Sequence, residues 1–233
     1  MKAFKWPFSF PIYRHPADES PPLLPFSSTV EVIREHVQRV INHPVNHVLI
    51  QFYRTGADYI SEHSDKTIDV VRGSRIVNIS IGAQRVMTLR MKKDRAQLLV
   101  AQGEAFRRPV QRFPLPHNSM FVMGPETNAK WLHGINHDKR FLTTKSEPER
   151  REGGARISLT FRHIGTFLTQ DQTRIYGQGA KGKTAEDARP VVNGTREAEQ
   201  LIEAFGKENH ESDFDWDGNY GGGFDVLHFA VRE

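Results

Sequence analysis

The feature that most restricts the fold is a change of hydrophobic period near residue 46. Upstream, Val30, Ile33, Val37, Val40 and Ile41 recur at helical spacing. Ser28-Thr29-Val30-Glu31 reads as a capping box in front of them, so the pattern predicts a helix over 29–42. Downstream, Val48, Ile50 and Phe52 alternate with Leu49, Gln51 and Tyr53, the period-2 signature of a strand buried on at least one face. Further short runs at about 74–82, 85–92, 97–102, 119–124 and 155–164 are separated by Gly, Pro, Asp and basic turns. One early helix followed by many short strands predicts a mainly β chain with flanking helices, a β-sandwich or jelly roll.

Three regions follow from these patterns. Residues 1–27, rich in Pro and aromatics, read as an irregular arm on the core. Residues 28–165 carry the strands. Residues 166–233 read as a C-terminal extension packed on the core: polar and irregular over 166–194, then one helix over 195–207 ending near Gly206, then an aromatic, glycine-rich tail. Within the core, the charged stretch 138–154 lacks periodicity and reads as a long exposed loop.

The chain contains no cysteine, which excludes disulfides, Cys-ligated zinc and thiol nucleophiles. Any metal must be held by His, Asp or Glu. No apolar run is long enough for a signal peptide or a membrane span. These absences fit an intracellular protein of the cytoplasm or nucleus. The formal net charge of +4 permits an anionic partner. Basic clusters at Arg90-Met91-Lys92-Lys93, Arg107-Arg108 and Lys145 to Arg151 could track phosphates or be solvated loops.

His63-Ser64-Asp65 is the sharpest local motif. On an extended segment, positions i and i+2 point to the same side, so one metal could take both side chains. A second histidine from another strand would complete a two-His, one-carboxylate face with open positions, the arrangement of non-haem Fe(II) oxygenases. Alone, the pair also fits a polar strand end. Downstream come Trp131-Leu132-His133 and Arg156-Ile157-Ser158-Leu159-Thr160-Phe161-Arg162. The two arginines, an even number of residues apart, share a strand face and could meet the two carboxylates of a dicarboxylate.

Together with Gln51-Phe52-Tyr53 and Gly82-Ala83-Gln84-Arg85, these stretches resemble, in order, the motifs of the AlkB family of Fe(II)- and 2-oxoglutarate-dependent dioxygenases. The resemblance covers about 48–164, and its most specific piece is RISLTFR. It implies a double-stranded β-helix, with Fe(II), 2-oxoglutarate and O2 as cofactor and co-substrates. It also implies that His63, Asp65 and His133 bind iron. Arg156 would pair with the distal carboxylate of 2-oxoglutarate, Arg162 with the carboxylate nearer the metal, and Tyr53 would donate a hydrogen bond to it. Gln51 and Ser158 stand where the family has asparagine, which puts hydrogen bonding at the co-substrate end in question. His137 is the rival third ligand; it follows Gly134-Ile135-Asn136 in a turn, whereas His133 sits on the Trp-x-His strand.

Two other matches fail on context. Gly177 to Thr184 fits G-x-x-x-x-G-K-T, a phosphate loop that needs a buried strand before it and a helix after it; only Ile175 and Tyr176 precede it as apolar residues, and Pro190 soon follows. Asp213 to Gly218 opens like a calcium loop, but Phe224 occupies the required Glu position. The substrate stays open between two classes. Family resemblance and basic charge favour N-alkylated nucleobases in nucleic acid. The short stretch before His63, in place of lid-forming hairpins, and the aromatic tail favour a small molecule such as an amino acid or secondary metabolite. The C-terminal half is also similar to that of fungal AlkB-like proteins. A catalytically dead binding domain is disfavoured, because all three ligand types are present.

Overall fold

The alternation along each strand becomes a two-faced sheet. In the computed structural model, which describes residues 9–17, 23–93 and 108–229, the elements begin with β1 (Phe10–Pro11), α1 (Ser28–Ile41), β2 (His47–Tyr53) and β3 (Ile60–His63). They continue with β4 (Ile76–Gly82), β5 (Arg85–Met91), β6 (Val110–Leu115), β7 (Ser119–Met123), α2 (Pro125–Lys130) and β8 (Trp131–Ile135). Then come α3 (Glu147–Arg150), β9 (Arg156–Arg162), β10 (Thr166–Leu168), β11 (Arg174–Gly177) and β12 (Arg189–Pro190). The last are β13 (Val192–Asn193), α4 (Arg196–His210), α5 (Trp216–Tyr220) and β14 (Val226–His228). Two antiparallel four-stranded sheets, ordered β2-β9-β4-β7 and β3-β8-β5-β6, form the jelly roll. The strand expected at 97–102 lies outside the described residues.

The first sheet explains why its strands alternate. Val77 and Ile79 on β4, with Leu159 and Phe161 on β9, pack against Val37 and Ile41 of α1. Their neighbours Asn78, Ser158, Thr160, Arg156 and Arg162 face the opposite way and line the space between the sheets. Burying the apolar face fixes the register, because a one-residue slip would exchange the two sets. Phe161 is fully buried at the centre of this cluster. Phe161→Ala is expected to cost about 3–5 kcal/mol of folding stability, read as a lowered urea midpoint.

Helix α1 starts one residue earlier than the sequence pattern suggests. Ser27 is the N-cap, accepting a bond from the Val30 amide at 3.3 Å, and Glu31 pairs with Arg34 instead of completing a box. The stretch 138–154 is not a plain loop. It contains two 3-10 turns and α3, capped reciprocally by Ser146 and Glu149. Its charges pair with one another, Arg140 Nε and Lys145 Nζ on Asp138 at 2.9 and 3.2 Å, so order there leaves no apolar period.

The extension is more structured than its composition suggests. β1 from the N-terminal arm joins β10, β11 and β12 in a third sheet, so neither the arm nor 166–194 is wholly irregular. Among its described residues the extension also has two helices, not one, and α4 runs through Gly206 to His210. A mid-helix glycine costs only about 1 kcal/mol, and buried contacts of Glu208 hold the last turn. Ile68, from the core, enters the cluster formed by Leu201, Phe205, Tyr220 and Val226. Arg14 fastens the regions together. Its guanidinium spans Asp69, at 2.7 Å in the shortest contact, and the carbonyls of Gly179, Phe224 and Val226.

Candidate metal centre

Strands β3 and β8 pair antiparallel with His63 opposite His133, which sets their imidazoles 4.4 Å apart between ring centroids. Asp65 follows just beyond the end of β3 and is buried. Its Oδ1 lies 3.7 Å from His63 Nε2 and 3.8 Å from His133 Nε2. One donor atom from each of the three residues falls within 4.8 Å of the others. His63 Nδ1 lies 2.8 Å from the Ser61 carbonyl, which can only accept, so Nδ1 carries a proton and Nε2 is the nitrogen turned toward Asp65.

The protonation states suit a cation. Burial, reinforced by His63, pushes His133 down to about 3, so it is neutral, as a ligand must be. Burial alone would raise the Asp65 carboxyl; Arg162 and the two histidines outweigh it and hold the group well below the usual carboxylate range. Two imidazole nitrogens and one carboxylate oxygen on one side of a cavity fit a facially bound Fe(II). His137 lies apart from the cluster, its Nδ1 on the Ala57 carbonyl at 2.8 Å and its ring against Tyr59.

The same cavity receives every residue that the sequence assigns to the metal or the co-substrate. Gln51, Tyr53, His63, Asp65, His133, Arg156, Ser158 and Arg162 all line it, in about 560 Å³ of non-atom space that includes its open mouth. Arg156 is 1% exposed. Its Nη2 donates to Ser80 Oγ at 2.7 Å and Asn78 Oδ1 at 3.0 Å, while Nε and Nη1 reach no hydrogen-bond partner of good geometry. Tyr53 lies opposite it in register, with the guanidinium carbon 5.1 Å from its ring centroid. Burial lowers Arg156 to about 10, still charged at neutral pH. A buried cation with unfilled donors calls for an anion.

Arg162 sits differently from what its motif suggests. Its Nε and Nη2 both hold Asp65 Oδ2, at 3.0 and 2.8 Å, leaving Nη1 without a partner. It thus orients the candidate ligand and has one nitrogen left for a further oxygen. Gln51 and Ser158 face each other across β2 and β9, and Ser158 Oγ accepts from Asn78 at 2.7 Å. Arg85, from Gly-Ala-x-Arg, faces away from this chemistry and donates to the carbonyls of Thr55, Asp58 and Asn136. Gly82 in that motif has φ of +98°, and a Cβ there would lie 2.4 Å from the Ala155 carbonyl oxygen.

Two residues escaped the sequence reading. Asn128 brackets Asp65, accepting from its amide and donating to its carbonyl, both at 2.9 Å. Asn78 links Arg156 to Ser158; a lone amide in the apolar run Ile76-Val77-Asn78-Ile79 was its available signal. The discounted motifs stay discounted. Lys183 donates to the carbonyls of Gln178 and Ala180, and no helix follows it before residue 188. Asp215 caps α5, and Asp217 pairs with Arg72. Much of the basic character is consumed internally: Arg90 on Glu62, Lys92 buried against the Glu208 carbonyl and Lys145 on Asp138. Arg107 lies outside the described residues.

Comparison with known proteins agrees with this geometry. The profile of the 2OG-Fe(II) oxygenase superfamily matches residues 1–162. The chain is 34% identical over 140 residues to DNA oxidative demethylase ALKBH2 of Homo sapiens, and 34% over 142 residues to that of Mus musculus; each alignment takes in 60% of this chain. It is 25% identical over 135 residues, 58% of its length, to alpha-ketoglutarate-dependent dioxygenase alkB homolog 3 of Homo sapiens. The matched parts are 48%, 52% and 42% of those relatives, so the chain spans about half the length of the curated relatives it matches.

Proposed function

The chain belongs to the AlkB-like part of the 2OG-Fe(II) oxygenase superfamily, and from that premise we propose that it oxidatively dealkylates N-alkylated nucleobases in nucleic acid. The observation that carries the reading is the shared cavity: a two-His, one-carboxylate cluster and, on the facing sheet, the buried Arg156 with unfilled donors. His63, Asp65 and His133 would hold Fe(II), and Arg156 with Tyr53 would take the far carboxylate of 2-oxoglutarate. Fe(II) with 2-oxoglutarate and O2 supplies the oxidising chemistry, which yields succinate, CO2 and a hydroxylated C–H bond.

The protein's own share is orientation. Arg162 fixes Asp65 through Oδ2, which leaves Oδ1 turned to the histidines. Asn78 and Ser80 aim Arg156. Leu49, Ile60, Met87, Phe121 and Ile135 keep the cavity largely apolar, which strengthens each charge contact inside it. Hydroxylation of an N-alkyl carbon gives an N–C–OH unit that sheds an aldehyde and restores the base. The nucleobase reading is supported by the relatives' printed activity, DNA oxidative demethylation.

The test is succinate formation from 2-oxoglutarate with N-methylated oligonucleotides and, separately, with free amino acids. Formaldehyde and succinate in equal amounts with the oligonucleotide are expected. Turnover with amino acids alone would overturn the nucleobase reading. Arg156→Met, which removes the charge and keeps bulk, should raise the 2-oxoglutarate KM about 30-fold or more, the loss expected when a buried charge partner is removed. An unchanged KM would show that the co-substrate binds elsewhere.

A further inference from the structure

Asp65 lies on a segment, Ser64–Thr67, that belongs to no strand. A ligand on such a segment has to be held by side chains or it wanders. Asn128 holds Asp65 itself. The residues around it are held from outside the jelly roll, by the last turn of α4. Asn209 Oδ1 accepts from the Ser64 amide at 3.0 Å and from Lys66 Nζ at 3.3 Å. The Glu208 backbone carbonyl accepts from Ser64 Oγ at 3.3 Å. The Glu208 carboxylate accepts from the Thr67 amide at 3.0 Å, from Thr67 Oγ1, and from the Tyr220 hydroxyl at 2.7 Å.

We propose that Asn209 and Glu208 are positioning residues of the metal centre, so that the extension after residue 165 completes the iron site. The Ser64 amide belongs to the His63–Ser64 peptide, and Ser64 is the residue between the two motif positions. A bond to that amide restrains the plane of this peptide, and so limits the backbone freedom between the two ligand side chains. Thr67, two residues past Asp65, is pinned by a buried carboxylate that Tyr220 pins in turn. The segment therefore has a fixed point on each side of the ligand, and both come from one helix turn far along the chain. The family match ends at residue 162, so neither residue lies within it.

This inference rests on the metal-site reading, and the experiment separates the two. Co(II) is titrated into the metal-free full chain and followed by its visible absorption, with apo-protein melting recorded for every variant. Wild type should bind one Co(II), and His63→Ala should abolish that binding. Asn209→Leu, which removes the acceptor and keeps the bulk, should weaken Co(II) binding about 10–100-fold, the range for partners that orient a ligand, and alter the absorption band. Asn209→Asp keeps an acceptor for Ser64 and Lys66 and should restore wild-type affinity. Glu208→Gln keeps an oxygen for Thr67 and serves as a second, milder variant, with weakening of a few-fold expected. Wild-type Co(II) affinity and spectrum in both Asn209→Leu and Glu208→Gln would overturn the inference, whatever happens to melting. Failure of wild type to bind, or binding indifferent to His63→Ala, would overturn the metal site itself.

Discussion

Asp65→Ala is expected to eliminate metal binding and to leave a less stable protein. The carboxylate is the one anion in the ligand cluster, so its loss should exceed the roughly 10–100-fold that changes in surrounding residues cost. It is also the counter-charge of Arg162, which is 3% exposed. Removing one member of a buried pair strands the other, at about 3–5 kcal/mol. Metal titration and urea denaturation of the same sample measure the two losses separately. Asp65→Asn keeps the shape, and its amide nitrogen faces either Arg162 or the histidines, so it should lose metal as well. A stability loss below about 1 kcal/mol in Asp65→Ala would show that Arg162 is satisfied by something other than this carboxylate.

The second large effect is expected at Arg14. Its guanidinium fills all of its N–H donors: Nε on Asp69, Nη1 on the Phe224 and Val226 carbonyls, and Nη2 on Asp69 and the Gly179 carbonyl. Arg14→Ala leaves Asp69, fully buried, without its counter-charge, with only the residue-14 amide still donating to it at 2.8 Å, and three carbonyls without this donor. The expected cost is about 3–5 kcal/mol for the broken pair alone, against a total stability of about 5–15 kcal/mol for a typical domain. A large drop in the urea midpoint follows. Loss of the C-terminal contacts before the jelly roll melts would appear as early proteolysis within 166–229. A midpoint shift of less than about 1 kcal/mol would mean that water replaces the guanidinium.

What the sequence made readable was whatever is local or ordered along the chain. Period-2 alternation marked β2, β4, β5, β7 and β9, because one face of each is apolar. His63, Asp65 and His133, which the structure brings within 4.8 Å of one another, could be named as candidates because the motif order separated His133 from His137. Asn128, Glu208 and Asn209 could not be found, because their meaning lies in partners 63 to 145 residues away. A polar residue near a helix end looks the same whether it faces water or clamps a ligand segment. The end of α4 was misplaced for the same reason: Gly206 is a local stop signal, and burial of Glu208 overrides it. Arg162 shows a subtler limit. Its strand and face were readable, but not that it would grip Asp65.

The joint made by Arg14 sets an order of events during synthesis. Chains fold as they leave the ribosome, beginning with what emerges first. Arg14 emerges before Asp69, 55 residues ahead of it. The carbonyls of Phe224 and Val226 emerge more than two hundred residues behind it. Over that interval the jelly roll can assemble, while three of the five guanidinium hydrogens have partners, the carbonyls of Gly179, Phe224 and Val226, that are made only after its last strand. The joint is therefore completed late in translation, and a ribosome stalled after Asp69 and before residue 224 would hold a nascent chain in which Arg14 has Asp69 but not its last two carbonyl partners.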